Sequence, residues 1–600
     1  MQTTIPSSRF YRNLFLVFLG SVVFSFFYLR PFKSAWHPFI AGDGLGYYAY
    51  LPATFIYHDT ELNFAWFNKV YKANYVNSSF DNPEDNFLVK YGDKKINKYY
   101  QGLSFIWMPF FFVGHLAAKI MHAPCDGFSQ PYQWSMALAS LFYLLLALWY
   151  LRKLLHAILN NALIACIVPM FIFYGTHLFP YAIFSNSLSH VYSLCFNILF
   201  VFFLYKTFHG KNQQSVNASL ALLFYCITVG IRPLNALVIL LLPVFYSSTF
   251  NWRDLKRSKL VYLLLLICFG FIVYQARLMY LQTHSFFPYT YSNESFDFMH
   301  ARFWEVLFSY KIGLFVYVPL ILLSLVGLFY LPEKKWILMF VFFMGILFLY
   351  SAWWYWPINR RAMIDDYFVP AVLIGFVCVS IKKPAAQFGF YGLLMLSVFY
   401  YQLKNYQMQN GILDEFKTYK EVYWRNFFRT YKANMYLVEP SAIHDQQDFN
   451  FDFEKDADLS FVQKSKVQSG KQAMVLSPDK NFVQLAVLPF PKLFDTNKAN
   501  CIRFSLSTFF EKGITAAHLF IQFYDTEGTS ILDVPFYLHA DDIFPNRWDL
   551  KEFGYEIENH KIINSYTVQS IGIAMWNLEA KKNIYVDDLK VEFILLKPGG

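Results

Sequence analysis

Three places in the chain carry residue types that can do chemistry. The first is Ala41-Gly42-Asp43-Gly44-Leu45-Gly46-Tyr47-Tyr48-Ala49-Tyr50-Leu51-Pro52. Glycines around an acid let the backbone turn tightly and leave the Asp43 carboxylate beside an aromatic surface. The other reading is that Asp43 caps a short helix. The Gly-x-Gly-x-Gly spacing follows no strand, so the dinucleotide-binding fingerprint fails. The second place is Asn359-Arg360-Arg361-Ala362-Met363-Ile364-Asp365-Asp366, just after Trp353-Trp354-Tyr355-Trp356. Arginine recognises phosphate oxygens through a planar, bidentate fork, and Arg360 pairing with Asp365 is the plainer alternative. The third is Gly230-Ile231-Arg232-Pro233, where an arginine interrupts an apolar stretch and calls for a phosphate or carboxylate partner. His190, in Ser189-His190-Val191-Tyr192-Ser193, opens a helix and reads as a hydrogen-bonding residue.

The elements that must position these residues are membrane helices. Of 600 residues, 56% are hydrophobic, 21% aromatic and only 15% charged, with mean hydropathy +0.30. That composition excludes an ordinary soluble enzyme, a disordered chain and a nucleic-acid binder. Residues 441–600 carry 16 Lys+Arg against 22 Asp+Glu, whereas 1–440 carry 35 against 19. A basic membrane region therefore precedes an acidic, water-soluble one, and the overall +10 reflects loop retention rather than nucleic acid. Spans of about 20 apolar residues are expected near 13–30, 101–121, 132–151, 162–181, 187–205, 218–249, 259–277, 313–331, 336–352, 366–381 and 386–403. The stretch 218–249 should break at Arg232-Pro233 into two shorter helices.

Basic pairs such as Arg152-Lys153, Lys334-Lys335 and Lys382-Lys383 belong on the cytoplasmic side, which gives a cytoplasmic N-terminus if 218–249 crosses twice and 101–121 is re-entrant, horizontal or an even number of crossings. Residues 31–100, 182–190, the Arg232-Pro233 break, 278–312, 351–365 and the C-terminal region then share the external side. Cysteines add little: six lie before residue 400 and only Cys501 after it, without CxxC or Cys/His metal spacing. The basic, apolar start reads as a retained anchor, since no small-residue cleavage site follows it.

Taken in order, Gly42–Pro52, Asn97-Lys98-Tyr99-Tyr100-Gln101-Gly102 leading to Trp107-Met108-Pro109, Ser189-His190-x-Tyr192-Ser193, Ile231-Arg232-Pro233-Leu234-Asn235, Gly313-Leu314-Phe315-Val316-Tyr317-x-Pro319 and Trp353-Trp354-x-Trp356 with Arg361-x-x-x-Asp365 resemble bacterial polytopic glycosyltransferases of the GT-C class. The likeness covers roughly residues 10–400. It implies a mainly α polytopic membrane domain of about 11–13 transmembrane helices in the bacterial inner membrane. It implies an inverting enzyme that moves a sugar from a polyprenyl-phosphate carrier to a glycan, lipid or protein acceptor outside the cytoplasm. Asp43 matches the expected catalytic carboxylate, which takes or orients the acceptor hydroxyl's proton. Arg232, Arg360 and Arg361 are candidates for holding the carrier phosphate, with Asp365, His190 and Lys98 as further substrate contacts. Asp59 and Glu61 are second-rank carboxylates for acceptor or a divalent ion, the one cofactor in question. Proline and asparagine stand between the tryptophans and Arg360-Arg361 where the pattern favours glycine, which leaves open which arginine faces the cavity.

The expected division is a membrane domain over 1–403, a connector over 404–440 and an external all-β sandwich or jelly roll over 441–600. Eight strands are predicted: Ala473–Leu476, Val483–Leu488, Ile502–Leu506, Leu519–Tyr524, Ile531–Leu538, Trp548–Glu556, Ile571–Trp576 and Ile584–Leu595. The ending Asn583-Ile584-Tyr585-Val586-Asp587-Asp588-Leu589-Lys590-Val591 looks like the last strand of carbohydrate-binding jelly-roll modules. Asp587 and Asp588 read as turn residues or as ligands of a structural calcium. Two rival functions use the same features: a transporter or flippase of lipid-linked glycans, and a non-catalytic scaffold with a glycan-binding domain. No internal repeat of the transporter kind is visible.

Overall fold

A computed structural model describes residues 8–29, 39–72, 87–92, 94–210, 213–247, 250, 255, 257–286, 288–291, 294–353, 359–414, 418, 420–430, 443–454, 461–464, 466–491, 500–514, 516–538, 543, 545–556, 568–578 and 582–596. The chain divides into two compact units, Met1–Asn405 and Tyr406–Gly600.

In the first unit, seven helices among the described residues are long and apolar enough to cross a membrane: Arg9–Tyr28, Gly102–Ile120, Gln130–Leu159, His190–His209, Gln214–Ile231, Lys259–Thr283 and Lys334–Ser351. At about 1.5 Å per residue, 20 residues match the roughly 30 Å hydrocarbon core. Shorter apolar helices follow at Ala162–Tyr174, Pro233–Phe245, Pro319–Tyr330 and Phe368–Ser380, and Pro384–Gln409 closes the unit. Helix covers most of the described part of each expected stretch, but 162–181 is interrupted at Gly175 before Leu178–Ile183, and 313–331 resolves into the short pieces Leu314–Tyr317, Pro319–Ser324 and Leu325–Tyr330. Residues 101–121, one of the expected spans, form a single helix, Gly102–Ile120, of spanning length.

Burial sorts these helices into centre and rim. His190–His209 is buried along most of its length, between Gln130–Leu159 and Gln214–Ile231. Lys259–Thr283 instead exposes Leu263, Leu266, Phe269 and Ile272. An apolar face of that size is stable against lipid and would aggregate in water. Helix Gly102–Ile120 approaches Gln214–Ile231 through a glycine pair. A Cβ on Gly102 would lie 1.9 Å from the Gly230 carbonyl oxygen, so only glycine permits the contact.

The break at Arg232 is present. Helix Gln214–Ile231 ends there, Arg232 is extended (φ −144°, ψ 117°), and Pro233–Leu241 continues as a 3-10 helix before Leu242–Phe245. Proline has no N–H to continue the α-helical ladder and forces the preceding residue out of the α region. The long stretch therefore resolves into one full helix and a tighter, shorter continuation, rather than two short helices.

The second unit is a β-sandwich. Its strands are β3 (Ile443–Phe451), β4 (Val462–Gln463), β5 (Ala473–Leu476), β6 (Phe482–Pro489), β7 (Asn500–Phe510), β8 (Ala517–Tyr524), β9 (Ser530–Leu538), β10 (Trp548–Glu556), β11 (Ser570–Trp576) and β12 (Ile584–Leu596). The first unit holds a small antiparallel hairpin, β1 (Leu88–Tyr91) with β2 (Lys94–Asn97). One sheet runs β10-β7-β12-β5-β4 with β3 also on β12, and the other runs β6-β11-β8-β9, all antiparallel. Phe504, Leu506, Val591 and Phe593 of the first sheet share the core with Leu519, Ile521, Ile573 and Met575 of the second. Strand β8 alternates buried and half-buried residues without exception, as the period of two requires when one face is solvated.

On the outer face of the four-stranded sheet, Phe482, Trp576, His518 and Tyr537 stand in register across β6, β11, β8 and β9. His518 meets Tyr537 and Trp576 edge-on at 4.5 and 6.0 Å between ring centroids. Small residues Gly572 and Ala574 follow on β11 in that face, flanked by Gln484 and Phe520.

Asp587 is fully buried and accepts backbone N–H bonds from Gln468 (2.9 Å) and Ser469 (3.1 Å), while Asp588 takes a positive φ at the irregularity in β12. The pair anchors a loop, which is the turn reading made specific. Among the described residues, no three His, Cys, Asp or Glu side chains converge as a metal site would need.

Candidate functional site

The glycines around Asp43 do something other than turn the chain. Only Gly42 has a positive φ (55°); it is the N-cap, and Asp43 is the first residue of helix Asp43–Phe55, without a side-chain cap. Gly44 and Gly46 lie inside that helix. A Cβ on Gly44 would strike Ser187 at 2.4 Å, and one on Gly46 would strike the Tyr99 ring at 2.2 Å. The glycines let the helix press against its neighbours, and that packing holds Asp43 at the wall of a cavity.

The cavity has a volume of about 630 Å³ and gathers residues from segments distant in sequence. Asp43, Lys98, His190, Arg232 and Arg361 line it, together with Tyr47, Tyr99, Tyr291, Glu294 and Trp353. Arg361 Nη2 donates to Asp43 Oδ2 at 2.7 Å, bridging 318 positions of sequence. Burial on its own would raise the Asp43 carboxyl. Arg361, a hydrogen bond from Tyr99 and the Lys98 charge outweigh it, and the group is held below its usual value of 3.8. Burial pushes the Tyr47 hydroxyl up to about 12, so it is a neutral hydrogen-bonding group one helical turn from Asp43.

Behind the cavity stands a second ion pair. Arg232 Nη1 donates to Asp365 Oδ2 at 2.8 Å, and His190 Nδ1 lies 2.8 Å from Asp365 Oδ1. Asp365 is 1% exposed and does not line the cavity, whereas Arg232 does. The Asp365 carboxylate thus faces Arg232 and His190 from behind. Its backbone carbonyl accepts from Asn197 Nδ2 at 3.0 Å, and Asn197 in turn accepts from Thr228 at 2.7 Å. Asn235 extends this buried chain to Ser193 and Thr228. The Arg232-Pro233 break is therefore tied down on both sides, by Thr228 before it and Asn235 after it.

The third cation, Lys98, lies 2.7 Å from Glu294 Oε1 and sits over the Tyr99 and Tyr291 rings at 5.4 Å from each centroid. Asp59 and Glu61 are placed elsewhere. Asp59 accepts from the backbone N–H groups of Asn63 and Phe64 and closes its own turn, and Glu61 lies within reach of Asn63 at 3.5 Å. Neither borders the cavity. No metal-binding arrangement forms around them among the described residues.

The expected Arg360–Asp365 pair lies outside the described side chains, because that of Arg360 is not described, nor are residues 354–358 with Trp354 and Trp356. Asp365 is instead partnered by Arg232, and Arg361 by Asp43. Glu294, Tyr47 and Tyr291 are cavity residues that the sequence did not single out. Tyr47 had a signal, its i+4 spacing from Asp43 on one helix face. Glu294 had only its place in a loop assigned to the same side.

The fold and cavity define a polytopic helical membrane protein joined to a β-sandwich. No protein-family model and no curated protein matches the chain. Among solved structures, the chain is similar to the arabinosyltransferase EmbB from Mycobacterium smegmatis at 11% identity and TM-score 0.31, over 98% of this chain and 65% of EmbB. It is also similar to the CBM22-1 xylan-binding domain of Paenibacillus barcinonensis Xyn10C, at 14% identity and TM-score 0.15 over 23% of this chain and 80% of that one. A family 22 carbohydrate-binding module of Clostridium thermocellum Xyn10B matches at 14% and TM-score 0.16, over 27% of this chain and 98% of that one.

Proposed function

We propose that the chain is an integral-membrane glycosyltransferase of the bacterial inner membrane, taking a sugar from a polyprenyl-phosphate donor and giving it to an extracytoplasmic glycan, lipid or protein. The observation that carries this reading is one cavity holding a half-exposed carboxylate, Asp43, together with Arg232, Arg361 and Lys98. In an inverting transfer, the acceptor oxygen attacks the anomeric carbon while the bond from that carbon to the phosphate oxygen breaks. The electron pair leaves with the phosphate, whose charge Arg361, Arg232 and Lys98 balance. The acceptor proton passes to Asp43. A carboxylate held below its ordinary pKa takes that proton late, once the new glycosidic bond has made the oxygen acidic. The cavity is large enough for one or two sugar rings and a phosphate, within the usual range for small-molecule sites.

Under this reading the β-sandwich holds acceptor glycan, and the row Phe482, Trp576, His518 and Tyr537 supports it, because flat aromatic faces stack on sugar rings. A flippase would use the same cations but would leave its lipid chemically unchanged. The deciding measurement is transfer of labelled sugar from a panel of polyprenyl-phosphate donors in membranes, wild type against Asp43→Asn. The variant should lose about a hundredfold or more of activity at equal expression. Equal activity in both would move catalysis elsewhere, and labelled lipid crossing the bilayer intact would favour the flippase.

A further inference from the structure

The three cations of the cavity are each matched by a carboxylate, and the three carboxylates differ. Asp365 is 1% exposed and lies behind Arg232; Asp43 is 32% exposed and faces the cavity beside Arg361. Glu294 is intermediate at 17%, and its partner Lys98 is 13% exposed. Glu294 and Lys98 come from different segments, one after helix Lys259–Thr283 and one between the β1–β2 hairpin and helix Gly102–Ile120. Both segments are stitched together around this pair. Across them, Thr290 Oγ1 donates to the Lys98 carbonyl at 2.8 Å and Asn97 N–H donates to Gln282 Oε1 at 3.0 Å, while within the Glu294 segment Tyr289 donates its hydroxyl to the Glu294 carbonyl at 2.5 Å.

A lysine is a flexible point charge on a four-carbon stem and does not hold a fixed position by itself. Here its ammonium is confined from three directions, by the Glu294 carboxylate and by the Tyr99 and Tyr291 rings. Its charge already acts on Asp43. Building such a confinement is costly in side-chain entropy and is redundant for a solvated surface lysine, because exposed ion pairs contribute little.

We propose that Glu294 is a positioning residue: it holds the Lys98 ammonium at the cavity wall, where that ammonium binds the phosphate of the lipid-linked donor. This rests on the donor reading above. It makes a prediction whose sign opposes simple electrostatics. Removing a negative charge from beside a phosphate site should tighten donor binding if charge alone counts, whereas loss of a positioning group should weaken it.

The test is steady-state transfer by the full-length protein in detergent or liposomes, with Glu294→Gln, Lys98→Gln and the double variant. Glu294→Gln should raise the donor KM about fivefold to tenfold with kcat within about twofold, because ground-state binding of the phosphate is what is lost. In the Lys98→Gln background, Glu294→Gln should add nothing, since it acts only through Lys98. An unchanged or lowered donor KM in Glu294→Gln overturns the proposal, and so does full additivity in the double variant. Where Glu294→Gln does not fold, Glu294→Asp serves. It keeps the charge but retracts it by one methylene, and should still raise donor KM, about twofold to threefold, at unchanged kcat. A wild-type protein that transfers sugar from none of the donors overturns the donor reading itself. Transfer with an unmoved KM overturns only the role of Glu294.

Discussion

The two units handle charge in opposite ways. In the membrane unit, Arg232–Asp365 and Arg361–Asp43 are drawn from segments 133 and 318 positions apart and placed at or behind one cavity. In the β-sandwich, charged groups from strands likewise distant in sequence form a lattice across the outer face of the larger sheet. Arg503, Glu592, Lys590 and Asp448 sit on neighbouring strands, with Lys590 2.7 Å from Glu592 and 3.0 Å from Asp448. The lattice satisfies itself and leaves nothing aimed into a cavity. Charge in lipid is expensive, so it is retained where it has a partner and a use, while charge on a solvated sheet needs only to be compatible with its neighbours. The same residue types therefore gather at or behind a cavity in one unit and pair across a sheet face in the other.

This contrast can be broken by experiment. The largest effect should come from Asp365→Ala, which leaves the Arg232 guanidinium without its buried partner and should destabilise the membrane unit by about 3–5 kcal/mol. Thermal unfolding in detergent reads this; Lys590→Ala on the β-sandwich, where the lattice is partly exposed, should shift the same transition far less, by at most about 1 kcal/mol. A comparable loss from both would erase the distinction.

Next comes pH. Asp43 has a lowered pKa in the folded protein, so it stays ionised as pH falls below the ordinary carboxylate range, and its share of stability, full above the unfolded carboxylate pKa, is lost progressively as pH falls from there through the lowered value. The acid limb of kcat/KM should therefore lie below about 3.8 in wild type and move upward in Arg361→Gln, where burial is no longer outweighed. A limb that stays in place would remove Arg361 from the control of Asp43.

The smallest effect belongs to the sandwich. Trp576→Ala should weaken retention of neutral oligosaccharide about threefold to tenfold while leaving transfer of sugar to a small soluble acceptor intact. Affinity electrophoresis of the full chain measures it. Unchanged retention would return the aromatic row to packing alone.

Much of the fold was legible because burial imposes period. All eight strands expected in 441–600 are present, each within a few residues of its expected ends, since β5 to β12 alternate or run apolar against a core. Strand β3, Ile443–Phe451, was missed for the opposite reason. It reads His-Asp-Gln-Gln-Asp at its centre and lies exposed on β12, so no apolar alternation marks it. Strand β4 is two residues long, too short for any pattern. The β1–β2 hairpin escaped notice because its lysines and turn look like any external loop.

In the cavity, the sequence pointed to Asp43, His190, Arg232 and Arg361 by type and setting and to Lys98 only through the family resemblance, and all five line one space. It could not say who pairs with whom. Arg360 pairing with Asp365 was the local expectation, and the Arg360 side chain lies outside the described residues; Arg361 reaches Asp43, and Asp365 reaches Arg232 and His190. Glu294 had no local signal at all. Residue type, apolar run length and strand period are local quantities, and these the amino-acid order determined by itself. Pairing across hundreds of positions depends on which helices touch, and that was decided by contacts such as Gly102 on Gly230 and Gly44 on Ser187, where the absence of a side chain lets two segments meet.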